Sequence, residues 1–497
     1  MIGVMAVPKI PLYRTIAESL SRDIRTGRYT EGERLPASRV LARSLEVNRA
    51  TLHQALQVLK ADGWIETNKG GGTRVARRSI AGPVIGPAPA WDRIASSLLR
   101  RIVAEPGPEP GLAPAYDLSR LAPDERDFPA EVFASFLAEV ARNEALLSYG
   151  SPFGYRPLRE TLAARLARRG VPADPDSILI VNGAQQGLDL ITRALVDPGD
   201  AVAVEDPSYS GALTLFRMHR ARLLGVPLDA EGPDMGALVS VLAERPKFLY
   251  AIPDFQNPTG LLVSTDRRQR VLEAAVGAGV LVVEDAFDAD LNVEGELPPP
   301  LAATAPGHVV HLGTISKALF PGVRVGWISG PKEFVHRLAA LKRIGELTSP
   351  PVLQAALNLF ISRGEYDRHL VRTRTRLRTR LAAAQRAVRE HFPVGTACDR
   401  PSGGWALWVR LPQGISGRAL AASARDKGVL VSPGSDFSPD GSDLPALRIS
   451  VARETGPDLE KALALVGAAA RSLHRLAVRR NGPGKARAGR EEALIQI

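Results

Sequence analysis

From about residue 177 onward the chain alternates strand-like apolar runs with helix-length segments, and this rhythm restricts its fold more than any other feature. The runs fall at 177–181, 201–205, 248–252, 280–284 and 309–313. Each is strand-sized, and the stretches between them are long enough for a helix. Such alternation predicts an α/β fold in which a large, mostly parallel sheet is covered by helices. From about residue 367 the pattern changes to an Arg-rich helix over 372–389 and short strands at 406–411 and 447–451. That change predicts a small C-terminal α+β subdomain.

The first 80 residues read differently. Segments 12–26, 35–45 and 49–62 repeat apolar residues at helical spacing, as in Ile16, Leu20 and Ile24 or Leu52, Leu56 and Leu59. Two strand-like pieces follow around Gly70, Gly71 and Gly72. Three helices and then a hairpin is the order of a winged helix-turn-helix. Repeated prolines from Pro83 to Pro123 break the chain beyond it, leaving room for one short helix over 91–103. The expected organisation is a head at 1–78, a semi-stiff Pro-rich linker at 79–114, a body at 115–478 with its subdomain at about 367–475, and a basic disordered tail at 479–497. A length of 497 residues suits such a division, since one core does not usually grow that large.

Of the net charge of +11, +7 lies in the first 80 residues. A basic head on a nearly neutral body suits a polyanion partner, although a solvated charged face has the same composition. The single cysteine, Cys398, excludes an intrachain disulfide and reads as a small core filler, with no metal-ligand spacing near it. The longest apolar stretch, 276–283, is far short of the roughly 20 residues of a membrane helix, and residues 1–10 lack a signal-peptide core. A soluble, cytoplasmic protein without a membrane partner or a metal is expected.

A recognition helix needs polar or cationic residues at its N-terminal end and apolar residues on its back. Asn48, Arg49, Thr51 and His53 supply the first; Leu52, Leu56 and Leu59 supply the second. Arg39 on the preceding helix, with Lys69 and Arg74 on the wing, are candidates for phosphate or minor-groove contacts. The stretch Leu35-Pro36-Ala37-Ser38-Arg39, with Val47-Asn48-Arg49-Ala50-Thr51, resembles the GntR-type winged-helix pattern. That resemblance implies double-stranded operator DNA as partner, while a winged helix serving only protein contacts remains the alternative.

The densest chemical signal is Thr314-Ile315-Ser316-Lys317, continuing through Arg324 to Gly326. Lysine is scarce here, ten residues against 54 arginines, so a lysine just beyond a buried strand is not background usage. A desolvated ε-amine can lose its proton and form a Schiff base with pyridoxal 5'-phosphate, which a guanidinium cannot do. Thr314, Ser316 and Arg324 then supply hydroxyl and guanidinium donors for a phosphate. A structural lysine at a helix start is the plainer reading of Lys317 alone. Upstream, Gly183, Ala184 and Gln185 follow a strand and open a helix, an arrangement whose free N–H groups suit a phosphate.

These segments, with Glu205-Asp206-Pro207-Ser208-Tyr209, Gln256-Asn257-Pro258 and Val282-Val283-Glu284-Asp285, occur in the order that fold-type I aminotransferases show. The resemblance implies that Tyr209 lies flat on the cofactor ring, Asn257 donates to its ring oxygen and Asp285 pairs with its pyridine nitrogen. An ionised Asp285 keeps that nitrogen protonated, so the ring serves as an electron sink. It further implies that Tyr149, in Tyr149-Gly150-Ser151-Pro152-Phe153-Gly154-Tyr155, crosses a dimer interface to the partner's phosphate. Arg448, in Leu447-Arg448-Ile449-Ser450, would grip a substrate α-carboxylate, the other reading being an ordinary surface cation.

Head and body together resemble the MocR/GabR branch of GntR regulators over residues 11–475. Such proteins are implied to be homodimers in which the cofactor, or its adduct with an amino acid or amine effector, biases DNA binding. One position departs from the pattern: two residues beyond the ring-nitrogen aspartate the relatives usually carry a tyrosine, and here it is Phe287. Loss of that phenol removes a donor to the ring oxygen, so slow chemistry and little complete transamination are expected. A working aminotransferase with a fused DNA-binding head stays open as the second reading.

Overall fold

The computed structural model describes residues 11–68, 72–76, 91–101 and 114–481. The chain divides into two compact units, Met1–Ser96 and Ser97–Ile497, inside the segment expected to link head and body. Most of that segment, Lys69 of the wing and nearly all of the expected tail lie outside the described residues.

The head consists of α1 (Leu12–Arg25), α2 (Ser38–Ser44), α3 (Arg49–Ala61) and an antiparallel hairpin of β1 (Ile65–Asn68) and β2 (Gly72–Val75). Leu52, Ala55 and Leu59 on one face of α3 share a core with Ile16, Ala17 and Leu20 of α1 and with Leu41, Ile65 and Val75. α2 begins three residues later than its periodicity predicts. Pro36 cannot donate a helical N–H, and Leu35 N instead donates to Thr73 O at 2.9 Å, extending the wing.

In the body, β3 (Ile178–Val181), β4 (Ala201–Asp206), β5 (Arg222–Pro227), β6 (Phe248–Ala251), β7 (Leu281–Asp285), β8 (Val309–Thr314) and β9 (Gly326–Ser329) form one sheet. Their spatial order is β3-β9-β8-β7-β6-β4-β5. Strands β4 to β8 run parallel, and β9 runs antiparallel to both neighbours. Every residue of β3, β6, β8 and β9 is buried, and β3, β6 and β8 fall on apolar runs of the sequence, whereas the short β9 had no such run to mark it. The chain steps outward from β4 to β5 and then returns to the other side of β4. Loops leaving β4 and β6 therefore diverge, and a crevice opens at the carboxyl edge of the sheet.

The small subdomain is an antiparallel sheet of β10 (Ala397–Cys398), β11 (Ala406–Arg410), β12 (Ser432–Pro433) and β13 (Ala446–Ser450), in the order β10-β11-β13-β12. The Arg-rich helix is longer than expected, Glu365–His391, and packs on the terminal helix Gly456–Asn481. Tyr116–Asp117 pairs in parallel with Val429–Leu430, which ties this stretch of chain to the small subdomain. The helix expected over 91–103 is two pieces, Trp91–Ile94 and a 3-10 turn Leu99–Arg101, parted at Ser96 and Ser97, which are poor helix formers. Cys398 is half-buried on β10 rather than in the core, and burial pushes its thiol up to about 12, so it is chemically quiet.

Candidate functional site

A cavity of about 290 Å³ opens at the carboxyl edge of the sheet. Its walls include Ala184, Gln185, Tyr209, Asn257, Asp285, Thr314, Ser316, Lys317, Arg324 and Arg448, drawn from segments as much as 264 residues apart in sequence. At one end, Gly183 adopts φ +80° as the cap of the helix Ala184–Leu195. A Cβ there would stand 2.9 Å from the Arg324 guanidinium, so only glycine leaves room for this close approach. Arg324 itself takes the left-handed conformation, φ 47°, and its Nη2 donates to Asn182 O at 2.6 Å. Thr314 Oγ1 donates to Val325 O at 3.1 Å and accepts from Ser316 N at 3.2 Å, so this hydroxyl is already committed to the backbone. Ser316 Oγ, by contrast, is buried without a hydrogen-bond partner. Tyr209 OH donates to Gln185 Oε1 at 3.1 Å, which anchors the ring at the cavity wall.

At the other end, Asp285 closes β7. Its Oδ2 accepts from Tyr250 OH at 2.6 Å, while its Oδ1 is buried and unpaired. Burial pushes the carboxyl up to about 6, opposed by the Tyr250 hydrogen bond and by the charge of Lys317. Lys317 follows β8, and its Nζ donates to Leu121 O at 2.8 Å. Burial holds this amine below the usual lysine range, partly offset by Asp288 and Asp285. Arg448 on β13 is buried, with Nη1 donating to Asn257 Oδ1 at 3.0 Å and Nη2 to Ser119 O and to Ser432 Oγ. Its cation lies 4.8 Å from the Phe437 ring centre, and burial lowers it to about 10. Since Asn257 accepts through Oδ1, its Nδ2 is left to donate elsewhere.

These observations fit pyridoxal phosphate. The orphaned Asp285 Oδ1 matches a protonated ring nitrogen, and the orphaned Ser316 Oγ and the Gly183 turn beside Arg324 match a phosphate. Phe287 lines the cavity and offers no phenol. Tyr149, expected to serve a partner subunit, is 80 % exposed and forms no part of this cavity.

Sequence reading missed several residues around the site. Tyr250 sits within an apolar run, where one aromatic looks like core. Ser119 and Leu121 act through main-chain carbonyls, which carry no side-chain signal. Asp288, three residues after Asp285, is buried, accepts from Trp405 N at 3.3 Å and is pushed up to about 7 by burial. Trp405 Nε1 donates to Lys317 O at 2.9 Å and holds the lysine's backbone. Buried Glu205, also raised to about 7 by desolvation, accepts from Gln256 Nε2 and Ile252 N and braces the loop that presents Asn257.

In the head, Arg39, Arg49 and His53 are exposed, and Ser38, Arg49, Ala50, His53 and Leu56 line a shallow recess between α2 and α3. Asn48 is the cap of α3: its Oδ1 accepts from Thr51 N at 2.7 Å and Thr51 Oγ1 at 2.8 Å. Both side chains expected to meet bases therefore spend hydrogen bonds on starting the recognition helix. Arg74 is exposed, but its Nη1 donates to Gly32 O at 3.0 Å along the wing. Away from both sites, Glu390, His391 and Glu460 bring ligand atoms within 4.8 Å of one another near the surface.

Comparison with known proteins matches the aminotransferase class I and II family over residues 121–466 and the bacterial regulatory gntR family over residues 12–75. The uncharacterized HTH-type transcriptional regulator YdfD of Bacillus subtilis is 32% identical over 92% of this chain and 96% of its own. The probable rhizopine catabolism regulatory protein MocR of Rhizobium meliloti is 30% identical over 85% of this chain and 86% of its own. Among solved structures, alpha-aminoadipate aminotransferase LysN of Thermus thermophilus, complexed with N-(5'-phosphopyridoxyl)-L-leucine, superimposes with a TM-score of 0.69 at 32% identity. It covers 78% of this chain and 97% of that one.

Proposed function

Because this chain belongs to the GntR-type HTH transcriptional regulators with an aminotransferase class I and II body, we propose that it senses an amino acid or amine through pyridoxal 5'-phosphate and adjusts its grip on operator DNA accordingly. The observation that carries the cofactor reading is the buried, unpaired Asp285 Oδ1 facing the same cavity as Lys317. An orphaned carboxylate oxygen is costly to bury unless a cationic donor meets it.

When bound, the cofactor supplies an aldehyde that condenses with amines and a ring that withdraws electrons. The chain's own groups hold it. Arg324, Ser316 and the N–H groups at Ala184 and Gln185 would take the phosphate, while Gly183 N donates to Val181 O at 2.9 Å and shapes the turn; Asp285, steadied by Tyr250, would keep the ring nitrogen protonated. Asn257 Nδ2 would donate to the ring oxygen, Tyr209 would cover the ring, and Lys317 would supply the amine, whose lowered basicity leaves more of it neutral. Arg448 receives the effector's carboxylate.

The same residues offer a route toward the head. Arg448 Nη2, Ser450 Oγ and Lys317 Nζ donate to three consecutive carbonyls, those of Ser119, Arg120 and Leu121. This strap is the stretch of chain by which the linker enters the body. A carboxylate held by Arg448 and a cofactor held by Lys317 would compete with two of its three ties, so occupancy of the cavity would loosen the strap.

A homodimer is part of the reading. Leu147 is 66%, Tyr149 80%, Ile344 82% and Leu347 54% exposed, an apolar set on neighbouring segments, since Gly150 lies against Pro351. Among the described residues no helix is long and apolar enough to cross a membrane, and a regulator of this kind works in the cytoplasm. The experiment is a gel shift with the DNA upstream of the gene, run with and without pyridoxal phosphate and a panel of amino acids. DNA affinity that changes with the cofactor and one amino acid is expected. Affinity indifferent to both, alongside fast transamination, supports the enzyme reading instead.

A further inference from the structure

The wall of the cavity carries one cation that the cofactor reading leaves without a task, Arg120. Its backbone is fixed, because the carbonyls of Ser119, Arg120 and Leu121 accept from Arg448, Ser450 and Lys317, the last two at 2.7 and 2.8 Å. Its side chain is not. The guanidinium arm is 67% exposed, and the carboxylate beside it, Asp117, stands 4.0 Å from its Nε. Asp117 Oδ1 is already engaged by Ser119 N at 3.0 Å and Ser119 Oγ at 2.6 Å. A pair at that separation, with its cation largely in water, contributes little and is easily exchanged for another anion.

The charged residues that line the cavity are unequal in sign: Arg120, Lys317, Arg324 and Arg448, against Asp285 among the described residues. Arg324 serves the phosphate, Asp285 the ring nitrogen, Lys317 the aldehyde and Arg448 the α-carboxylate. Arg120 follows directly on Ser119, whose carbonyl Arg448 grips, so it stands on the same wall as the carboxylate subsite. A ligand with a single carboxylate leaves it facing water. We propose that Arg120 forms a second anion subsite and that the effector is an amino acid with an acidic side chain. This rests on the reading of the body as an amino-acid sensor and names the class of amino acid it takes.

The test uses the full-length, cofactor-loaded protein, titrated with L-aspartate, L-glutamate and L-2-aminoadipate and with their neutral counterparts L-asparagine, L-glutamine and L-norleucine. Binding is followed by the visible cofactor band and by the unfolding midpoint. At least one acidic ligand is expected to bind about tenfold or more tightly than its neutral counterpart, the scale of one charge-assisted hydrogen bond. In Arg120→Gln the preference disappears while the neutral ligand's affinity moves by less than about twofold, as it does not contact this side chain. Neutral ligands that bind as well as acidic ones overturn the subsite, as does an acidic preference that survives Arg120→Gln. A cofactor band that responds to no amino acid overturns the sensor reading itself.

Discussion

Replacing Tyr250 by Phe removes one oxygen from a buried site and isolates the role of Asp285. In the native protein the phenol donates to Asp285 Oδ2 at 2.6 Å, and Asp285 titrates at about 6 because this bond opposes desolvation. A hydrogen bond to a charged partner is worth about 1.5–3 kcal/mol, or roughly one to two pKa units, so the variant's carboxyl moves to roughly 7–8. A neutral carboxyl cannot hold the cofactor's ring proton. Native cofactor affinity should therefore be flat above about pH 7. Affinity of Tyr250→Phe should climb with pH through the raised pKa, starting about tenfold weaker near neutrality. Folding responds to pH in the opposite direction. Asp285 titrates above its unfolded value of 3.8, so it opposes folding as pH rises from there through about 6. The variant extends that cost upward, and cofactor-free Tyr250→Phe should lose about 1.5–3 kcal/mol relative to native at about pH 8 and much less at about pH 5. Fluorescence titration with pyridoxal phosphate across pH, paired with urea unfolding, measures both. Superimposable affinity profiles for the two proteins would refute the reasoning.

Gly183→Ala forces a Cβ to 2.9 Å from the Arg324 guanidinium at φ +80°, a conformational penalty of roughly 1–2 kcal/mol. Cofactor affinity should fall about tenfold or more, and an unchanged dissociation constant would place the phosphate elsewhere. Leu52→Ala hollows the head's core at a fully buried position and should cost about 2–5 kcal/mol, abolishing DNA binding while leaving the cofactor's visible band intact. Phe287→Tyr should restore a donor toward the ring oxygen and speed reaction with amino acids about tenfold in stopped-flow spectra. Native protein that already completes half-reactions at ordinary aminotransferase rates would contradict the role assigned to Phe287.

The parts legible in sequence were those with local periodicity or fixed neighbours. Val309–Thr314 reads as a strand because it is buried on both sides, and Lys317 is conspicuous because it breaks off that strand's end. Gly183 announces itself by standing between a strand and a helix. What stayed hidden is placed by the crossovers of the sheet. Ser119 and Arg448 are 329 residues apart and Lys317 and Leu121 are 196 apart, so no local pattern joins them. Tyr250 looked like core because its ring is core; only the hydroxyl at its tip belongs to the site. Asn48 and Thr51 show that polarity at a helix start has a second use: Asn48 caps α3 through Thr51 N, a task beside the base contacts expected of the pair.

The account depends most on Lys317 as the anchor of the cofactor. Incubation with pyridoxal phosphate, borohydride reduction and peptide mass mapping tests this directly, with Lys317→Ala as control. A visible band that borohydride bleaches, with the phosphopyridoxyl increment confined to Lys317 and missing from the control, is the predicted result. A colourless native protein, or an increment on another lysine, would contradict it.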